Sequence, residues 1–221
     1  HFEDCVKRRS AREPLQYILG MWDFYKYSFK VGKGVLIPRP ETEMLVDFAV
    51  DKINRDGCKI VFDLCCGSGC VGLSVAKMCP QVKVYCVDVS DDALAYTRKN
   101  KELLDCDNVT IVKSDVLDGT GFIGLPRPDI ILSNPPYIRS EEIPQLQKEV
   151  HFEPPLALDG GEDGLIFYRQ LSEIWYPLIN RGGYLAMECG EDQANDILSL
   201  FVNKADKGKI HKDMNKLCLK N

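Results

Sequence analysis

The sequence has no apolar run near the ~18–20 residues that a membrane span requires. No charged-then-apolar leader opens it, which sets aside a secretory signal peptide. It holds no internal repeat and no low-complexity segment. Its cysteines lack the paired C-x-x-C spacing of a zinc module, so no structural metal is expected. Positive charge is not in excess. A net charge of −5 counts against a general nucleic-acid binder, which carries a basic face. Only Lys7, Arg8, Arg9 and Arg12 form a local basic cluster. Position 1 is His rather than Met, which suggests a fragment or a trimmed chain.

What is present fits a soluble globular protein. The 221 residues can bury one good core, and 45% hydrophobic with 28% charged content is ordinary. Ten cysteines form an even set, yet disulfide frameworks belong to small secreted chains. Cys65 and Cys66 are adjacent, and Cys86 lies inside an apolar strand pattern. Most of the ten read as small buried hydrophobes in a reducing compartment.

Residues 1–13 are charged and read as the end of a helix leading to Pro14. Tyr17 to Ile37 holds aromatic and β-branched residues broken by Gly20, Gly32 and Gly34, which predicts a β-hairpin. Glu41 to Asn54 carries a helical stripe of Met44, Leu45, Phe48, Ala49 and Ile53, closed by Gly57. Strands and helices then alternate. Strands are predicted at 60–64, 82–89, 109–113, 129–133 and 183–189. Helices are predicted at 71–78, 91–104, 164–179 and 192–201. The tail 203–221 is expected to add the last strands, with Leu217-Cys218-Leu219 inside one. Short apolar strands separated by helices predict an α/β fold, a mostly parallel doubly wound sheet with helices on both faces.

In such a sheet a ligand sits at the carboxyl ends of the strands. Asp63-Leu-Cys65-Cys66-Gly67-Ser68-Gly69 follows the first strand, where glycines let backbone approach a ligand. Asp88 ends the second strand, where an acid can accept from both ribose hydroxyls. Ser114-Asp115-Val116 ends the third, where a carboxylate can accept from an adenine amino group. Each acid alone can equally be a helix N-cap, and Asp88 or Asp91 can cap the helix that follows. Agreement at successive strand ends favours a ligand crevice.

Asn134-Pro135-Pro136-Tyr137 ends the fourth strand. Proline cannot donate to a ladder, so pairing stops there and a stiff loop remains. The loop offers one side-chain amide, carbonyls and a flat ring. That set suits an uncharged planar NH2 group. Gly67-Ser-Gly69-Cys-Val-Gly72 also matches the nicotinamide-dinucleotide fingerprint. That reading leaves Asn-Pro-Pro-Tyr unexplained. S-adenosylmethionine, with its methyl aimed at Asn134, accounts for both.

Flanking motifs sharpen this into a resemblance. They are Pro14-x-x-Tyr17-Ile18-x-Gly20, Leu36-Ile37-Pro38-Arg39-Pro40-Glu41-Thr42-Glu43, Glu153-Pro154-x-x-Ala157-Leu158-x-Gly160-Gly161-x-Asp163-Gly164 and Glu188-x-Gly190-x-x-Gln193. With Asp-x-x-x-Gly-x-Gly and Asn-Pro-Pro-Tyr, the chain resembles the release-factor glutamine N5-methyltransferases (the HemK/PrmC family) from about residue 8 to its end. The resemblance implies a Rossmann-like class I methyltransferase fold with an N-terminal β-hairpin. It also implies a cytoplasmic monomer that methylates the glutamine of a Gly-Gly-Gln loop in a peptide-chain release factor, without direct nucleic-acid or membrane contact. By the same resemblance, residues 1–13 are the end of an N-terminal helical domain, 14–40 a hairpin linker and 41–221 the catalytic domain. The family pattern has Gly where Cys65 stands and Thr where Cys66 stands.

The expected roles follow residue by residue. Asn134 Oδ1 and the Pro135 carbonyl each accept one amide hydrogen, Pro136 stiffens the loop, and Tyr137 stacks on the amide. Cys65, Cys66, Gly67, Ser68, Gly69, Asp88, Asp115, Val116 and Asn134 line the cofactor. Arg39 pairs with Glu41, Glu43 or the cofactor carboxylate. Thr42 either touches the cofactor or caps the next helix. Phe24, Tyr25 and Phe29 either cover the cofactor or pack in the core. His151 reads as a surface residue, and no dedicated general base is evident. Two alternative activities share the loop: glutamine methylation of a ribosomal protein and N6-methylation of a flipped adenine.

Overall fold

The computed structural model describes residues 2–202, 204, 207–211 and 216–221. Helix α1 spans Phe2–Ser10 and the short α2 spans Leu15–Leu19. Strands β1 (Met21–Phe24) and β2 (Tyr27–Lys30) form an antiparallel hairpin. The predicted hairpin, Tyr17 to Ile37, is therefore too long at both ends, since β2 stops at Lys30. Pro14 opens a helical turn and Gly20, at φ +72°, ends it, so Tyr17 is helical. Its hydroxyl donates to the Val35 carbonyl at 2.5 Å and fastens α2 to the loop after the hairpin.

Helix α3 (Glu43–Asp56) follows a 3-10 turn at Pro40–Thr42 and ends on Gly57, as expected. Then come β3 (Ile60–Leu64), α4 (Cys70–Met78), β4 (Lys83–Asp88), α5 (Asp91–Leu103), β5 (Val109–Lys113) and β6 (Ile130–Ser133). Ser90, rather than Asp88 or Asp91, caps α5 by accepting from the Ala93 N–H. After β6 a long segment precedes α6 (Ile166–Gln170). The continuous helix predicted over 164–179 is broken there. Leu171–Trp175 widens into a π turn and Tyr176–Leu178 tightens into a 3-10 turn around Pro177, which has no N–H to continue the ladder. β7 (Tyr184–Glu188), α7 (Ala194–Leu200), β8 (Lys207–His211) and β9 (Lys216–Lys220) complete the order. The expected tail strands are β8 and β9. Residues 203, 205–206 and 212–215 of that tail lie outside the described residues.

The main sheet runs β5-β4-β3-β6-β7-β9-β8. The first five strands are parallel, and β9 pairs antiparallel with both β7 and β8. The chain builds outward from β3 through β4 to β5, then returns to place β6 on the other side of β3. That reversal opens a crevice at the carboxyl ends of β3 and β6.

Alternation along the strands feeds two cores. Val61, Ile130 and Leu132 face α3, α4 and the hairpin, with Phe24 and Phe29. Phe62, Leu64 and Ile131 face α6, α7 and Trp175. Phe24 and Phe29 are thus core residues. Tyr25 lies at the hairpin tip, where its N–H donates to Glu43 Oε1 at 2.7 Å and its hydroxyl to Asp47 Oδ1 at 2.8 Å, tying the hairpin to α3. Cys66, Cys70, Cys79, Cys86 and Cys106 are buried free thiols within the first core. Burial pushes the Cys106 thiol up to about 11, so it stays neutral.

Candidate functional site

The first strand end is shaped by strain and by two acids. After β3 the chain turns at Cys65, whose φ of +58° lies in the left-handed region that favours glycine. Gly69 opens α4 at φ +79°, and a Cβ there would stand 2.8 Å from Thr97 Cγ2. Asp63 is buried beneath the loop, and its Oδ2 accepts from the Gly72 N–H at 2.8 Å. Burial raises its carboxyl to about 7, against the pull of that hydrogen bond, and the Asp88 charge adds to the rise. The half-buried Asp88 accepts from Gly67 N–H at 2.9 Å and from Ser90 N–H at 3.0 Å. Burial also raises its carboxyl. Asp115 Oδ1 accepts from the Leu117 N–H at 2.8 Å.

These ends enclose a cavity of ≈ 210 Å³ whose wall includes Cys65, Gly67, Asp88, Asp115, Val116 and Asn134. The hairpin aromatics are not in that wall; Gly34, Val35 and Leu36 from the following loop are. Cys66 and Ser68 lie deeper, lining a small adjoining cavity with Asp63 and Thr42. Gly69 stands behind, at the start of α4. The donor set fits an adenosyl group better than a dinucleotide. The Gly67 and Gly72 N–H groups are committed to Asp88 and Asp63, and two carboxyl groups stand where a pyrophosphate would add negative charge.

A second cavity of ≈ 210 Å³ also has Asn134 in its wall. Its wall includes Arg39, Asn134, Pro135, Tyr137, Leu146 and Glu188. Asn134 borders both cavities, while Pro136 lines the first and Pro135 the second. The half-buried Tyr137 has its hydroxyl pushed up to about 12, by burial first and by the Glu188 charge second.

The loop is held from behind. Buried Gln193 donates to the carbonyls of Tyr137 at 2.9 Å and Gly164 at 3.3 Å, and accepts from the Gly190 N–H at 2.9 Å. Ile138 N–H donates to Leu158 at 3.0 Å, and Gly160 N–H to Ile138 at 2.8 Å. A Cβ on Gly160 would fall 2.8 Å from Tyr137 Cα, so only glycine lets the two backbones meet.

Two expected partners are corrected. Arg39 pairs with Glu153, not with Glu41 or Glu43. Glu153 is buried and also accepts from the Ile37 N–H at 2.9 Å, so it fixes the segment that leads over the site. Thr42 makes no capping bond to α3. Its buried hydroxyl donates to Glu188 Oε2 at 2.8 Å and accepts from Asn134 Nδ2 at 3.2 Å. His151 is exposed, as expected.

Sequence reasoning quoted Glu153, Glu188 and Gln193 within motifs but assigned them no role. All three prove buried, and two carried a signal: Glu188 closes the apolar run 184–187 and Glu153 lies between Phe152 and Pro154, whereas Gln193 sits among Glu191, Asp192, Asn195 and Asp196 and gave none. Among the described residues no cluster of His, Cys, Asp and Glu can hold a metal ion, and no helix is long and apolar enough to cross a membrane.

Comparison with known proteins bears on this geometry. Residues 42–153 match the family described as Methyltransferase small domain, and residues 1–20 match the PrmC N-terminal domain. The release factor glutamine methyltransferase of Clostridium acetobutylicum is 41% identical over 203 residues, covering 91% of this chain and 71% of that protein. The corresponding protein of Thermodesulfovibrio yellowstonii is 39% identical, covering 90% of this chain and 72% of that protein. Among solved structures, the hMettl16 catalytic domain in complex with MAT2A 3'UTR hairpin 6 superposes with a TM-score of 0.67 at 13% identity, covering 87% of this chain and 74% of that one. At that identity the likeness is one of fold, and it agrees with the Rossmann-like sheet described above.

Proposed function

The chain belongs to the release factor glutamine methyltransferase family, and from that premise we propose that it methylates the side-chain amide nitrogen of the glutamine in a release factor's Gly-Gly-Gln loop. One observation carries the assignment of the site: Asn134 borders both of the larger cavities, with Pro136 on one and Pro135 on the other. Methyl donor and acceptor amide then meet across this loop. S-adenosylmethionine, when bound, supplies an electrophilic methyl group and leaves as S-adenosylhomocysteine.

In this reading Asp88 accepts from the ribose hydroxyls and Asp115 from the adenine amino group. Cys65, Cys66, Gly67, Ser68, Gly69 and Val116 shape the cradle around them. Each Asp88 oxygen carries one backbone N–H. A carboxylate oxygen has a further lone pair, so each can still take one hydroxyl.

An amide nitrogen is a poor nucleophile because its lone pair is delocalised into the carbonyl. Asn134 Oδ1 and the Pro135 carbonyl each accept one amide hydrogen, which fixes the nitrogen and aims its lone pair across the loop. As the new C–N bond forms, the nitrogen gains positive character and both acceptors bind more strongly. The nitrogen, now strongly acidic, then releases one proton to solvent water, leaving a neutral secondary amide. Tyr137 stacks on the amide plane. Pro135 and Pro136 are buried and stiff, so little ordering remains for the bound state.

Asn134→Ala tests this. The initial rate of methyl incorporation into a release factor should fall about 10²–10³-fold, as for other single groups that act on transition-state charge. Affinity for S-adenosylmethionine should hold. A release factor changed to Gly-Gly-Ala should take no label, and neither should ribosomal protein or DNA. Full activity of Asn134→Ala, or equal labelling of the Gly-Gly-Ala control, defeats the proposal.

A further inference from the structure

Two buried side chains, Glu188 and Thr42, and the half-buried Asn134 come from distant parts of the chain and form a line that ends at the site. Glu188 terminates β7, Thr42 precedes α3, and Asn134 follows β6. Thr42 Oγ1 donates to Glu188 Oε2 at 2.8 Å, and Asn134 Nδ2 donates to Thr42 Oγ1 at 3.2 Å. We propose that Glu188 and Thr42 are positioning residues that fix which way round the Asn134 amide faces the acceptor. This rests on the reading of Asn134 given above.

The argument is one of hydrogen-bond direction. A carboxylate has no hydrogen and can only accept. It therefore claims the one hydroxyl hydrogen of Thr42. The Thr42 oxygen can then only accept from Asn134. Asn134 must turn its NH2 toward Thr42, which leaves Oδ1 for the acceptor nitrogen. With the amide reversed, two NH groups would oppose the hydrogens of the substrate amide, and no bond would form. Because Thr42 and Glu188 are buried, losing either partner leaves a polar group poorly solvated. The negative end of the line also polarises the Asn134 amide, so Oδ1 is a stronger acceptor as the nitrogen becomes positive.

Glu188 itself carries no proton away from the substrate in this scheme. Glu188 also stands in the wall of the second cavity, and the role proposed here is the one it exerts through Thr42 and Asn134. Glu188→Gln keeps shape and volume but removes the directional constraint. A glutamine amide can donate to Thr42, which then donates to Asn134 Oδ1 and turns the catalytic amide the wrong way.

The decisive pair is Thr42→Val and Thr42→Ser in the full chain. Valine keeps the shape and loses the hydroxyl; serine keeps the hydroxyl and loses a methyl. A packing role predicts that valine is tolerated and serine is not. The positioning role predicts the opposite. Thr42→Val should lower kcat about 10²-fold, the scale of a misplaced reacting group. Its affinity for S-adenosylmethionine should not change, and its thermal midpoint should stay close to that of the parent. Thr42→Ser should keep the greater part of the rate. Glu188→Gln should fall with Thr42→Val.

A Thr42→Val enzyme at the parental rate, or a Thr42→Ser enzyme worse than Thr42→Val, overturns the proposal. So does loss of S-adenosylmethionine binding in Thr42→Val, which would assign Thr42 to the cofactor instead. Asn134→Ala run alongside separates the two claims. If it is inactive while Thr42→Val is active, only the positioning role fails. If Asn134→Ala is itself fully active, the reading of the loop fails first.

Discussion

The side-chain amide of Gln193 donates to the carbonyl of Tyr137 at 2.9 Å. That bond ties the start of α7 to the loop at the end of β6, and the same amide group reaches Gly164. Gln193 is buried, so its partners have no ready access to water. Removing it strands two carbonyls and the Gly190 N–H.

Gln193→Leu should therefore destabilise the fold by about 1–3 kcal/mol, the usual cost of a buried group left unsatisfied. Urea unfolding would read this as a lower midpoint with an unchanged slope. The rate of methyl transfer should fall more than S-adenosylmethionine affinity, because the loop, not the cofactor cradle, loses its support. A variant with parental midpoint and parental rate would mean the loop is held by its prolines and by the Ile138 contacts alone.

Cys65 is a second test, of backbone rather than hydrogen bonds. Its φ of +58° costs an L residue roughly 1–2 kcal/mol. Glycine has no such penalty but loses about 0.5–1 kcal/mol more conformational freedom on folding. Cys65→Gly should thus raise stability by up to about 1 kcal/mol, seen as a higher denaturation midpoint. Cofactor affinity should be retained, since the backbone already has a left-handed turn that glycine adopts without strain. A fall in stability would show that the Cys65 side chain contributes more packing than its backbone costs.

The alternation of strands and helices was legible because short apolar runs and helical stripes are local patterns. Asn134 could be placed at a strand end for the same reason: the run Ile130–Ser133 stops where Pro135 cannot pair. The partners of Arg39 and Thr42 were not legible. Arg39 meets Glu153 across 114 positions, and Thr42 meets Glu188 across 146. Nearer acids, Glu41 and Glu43, were the obvious candidates from spacing. Glu43 is instead taken by the Tyr25 N–H at the hairpin tip, and Arg39 pairs with Glu153. The hairpin aromatics were open between core and cofactor. Phe24 and Phe29 went to the core because the hairpin packs on α3 through Tyr25, Glu43 and Asp47.

The third prediction concerns pH. Burial lifts the Asp63 carboxyl from an ordinary 3.8 to about 7. Between those values the folded protein holds a proton that the unfolded chain has released. Stability from this group is therefore complete below the unfolded value and is lost as pH rises through about 7. Asp88 is shifted in the same direction, so the pH curve of the parent alone does not isolate Asp63. The difference between the parent and Asp63→Asn does. Asparagine keeps an oxygen for the Gly72 N–H and cannot ionise. Its advantage over the parent should grow across the interval and level off above neutrality, on the scale of about 1.4 kcal/mol for each unit of pKa difference. Unfolding free energies at pH 5 and pH 8 would measure it. A constant difference between the two pH values would mean that Asp63 stays ionised beneath the loop, its charge held by the Gly72 N–H alone.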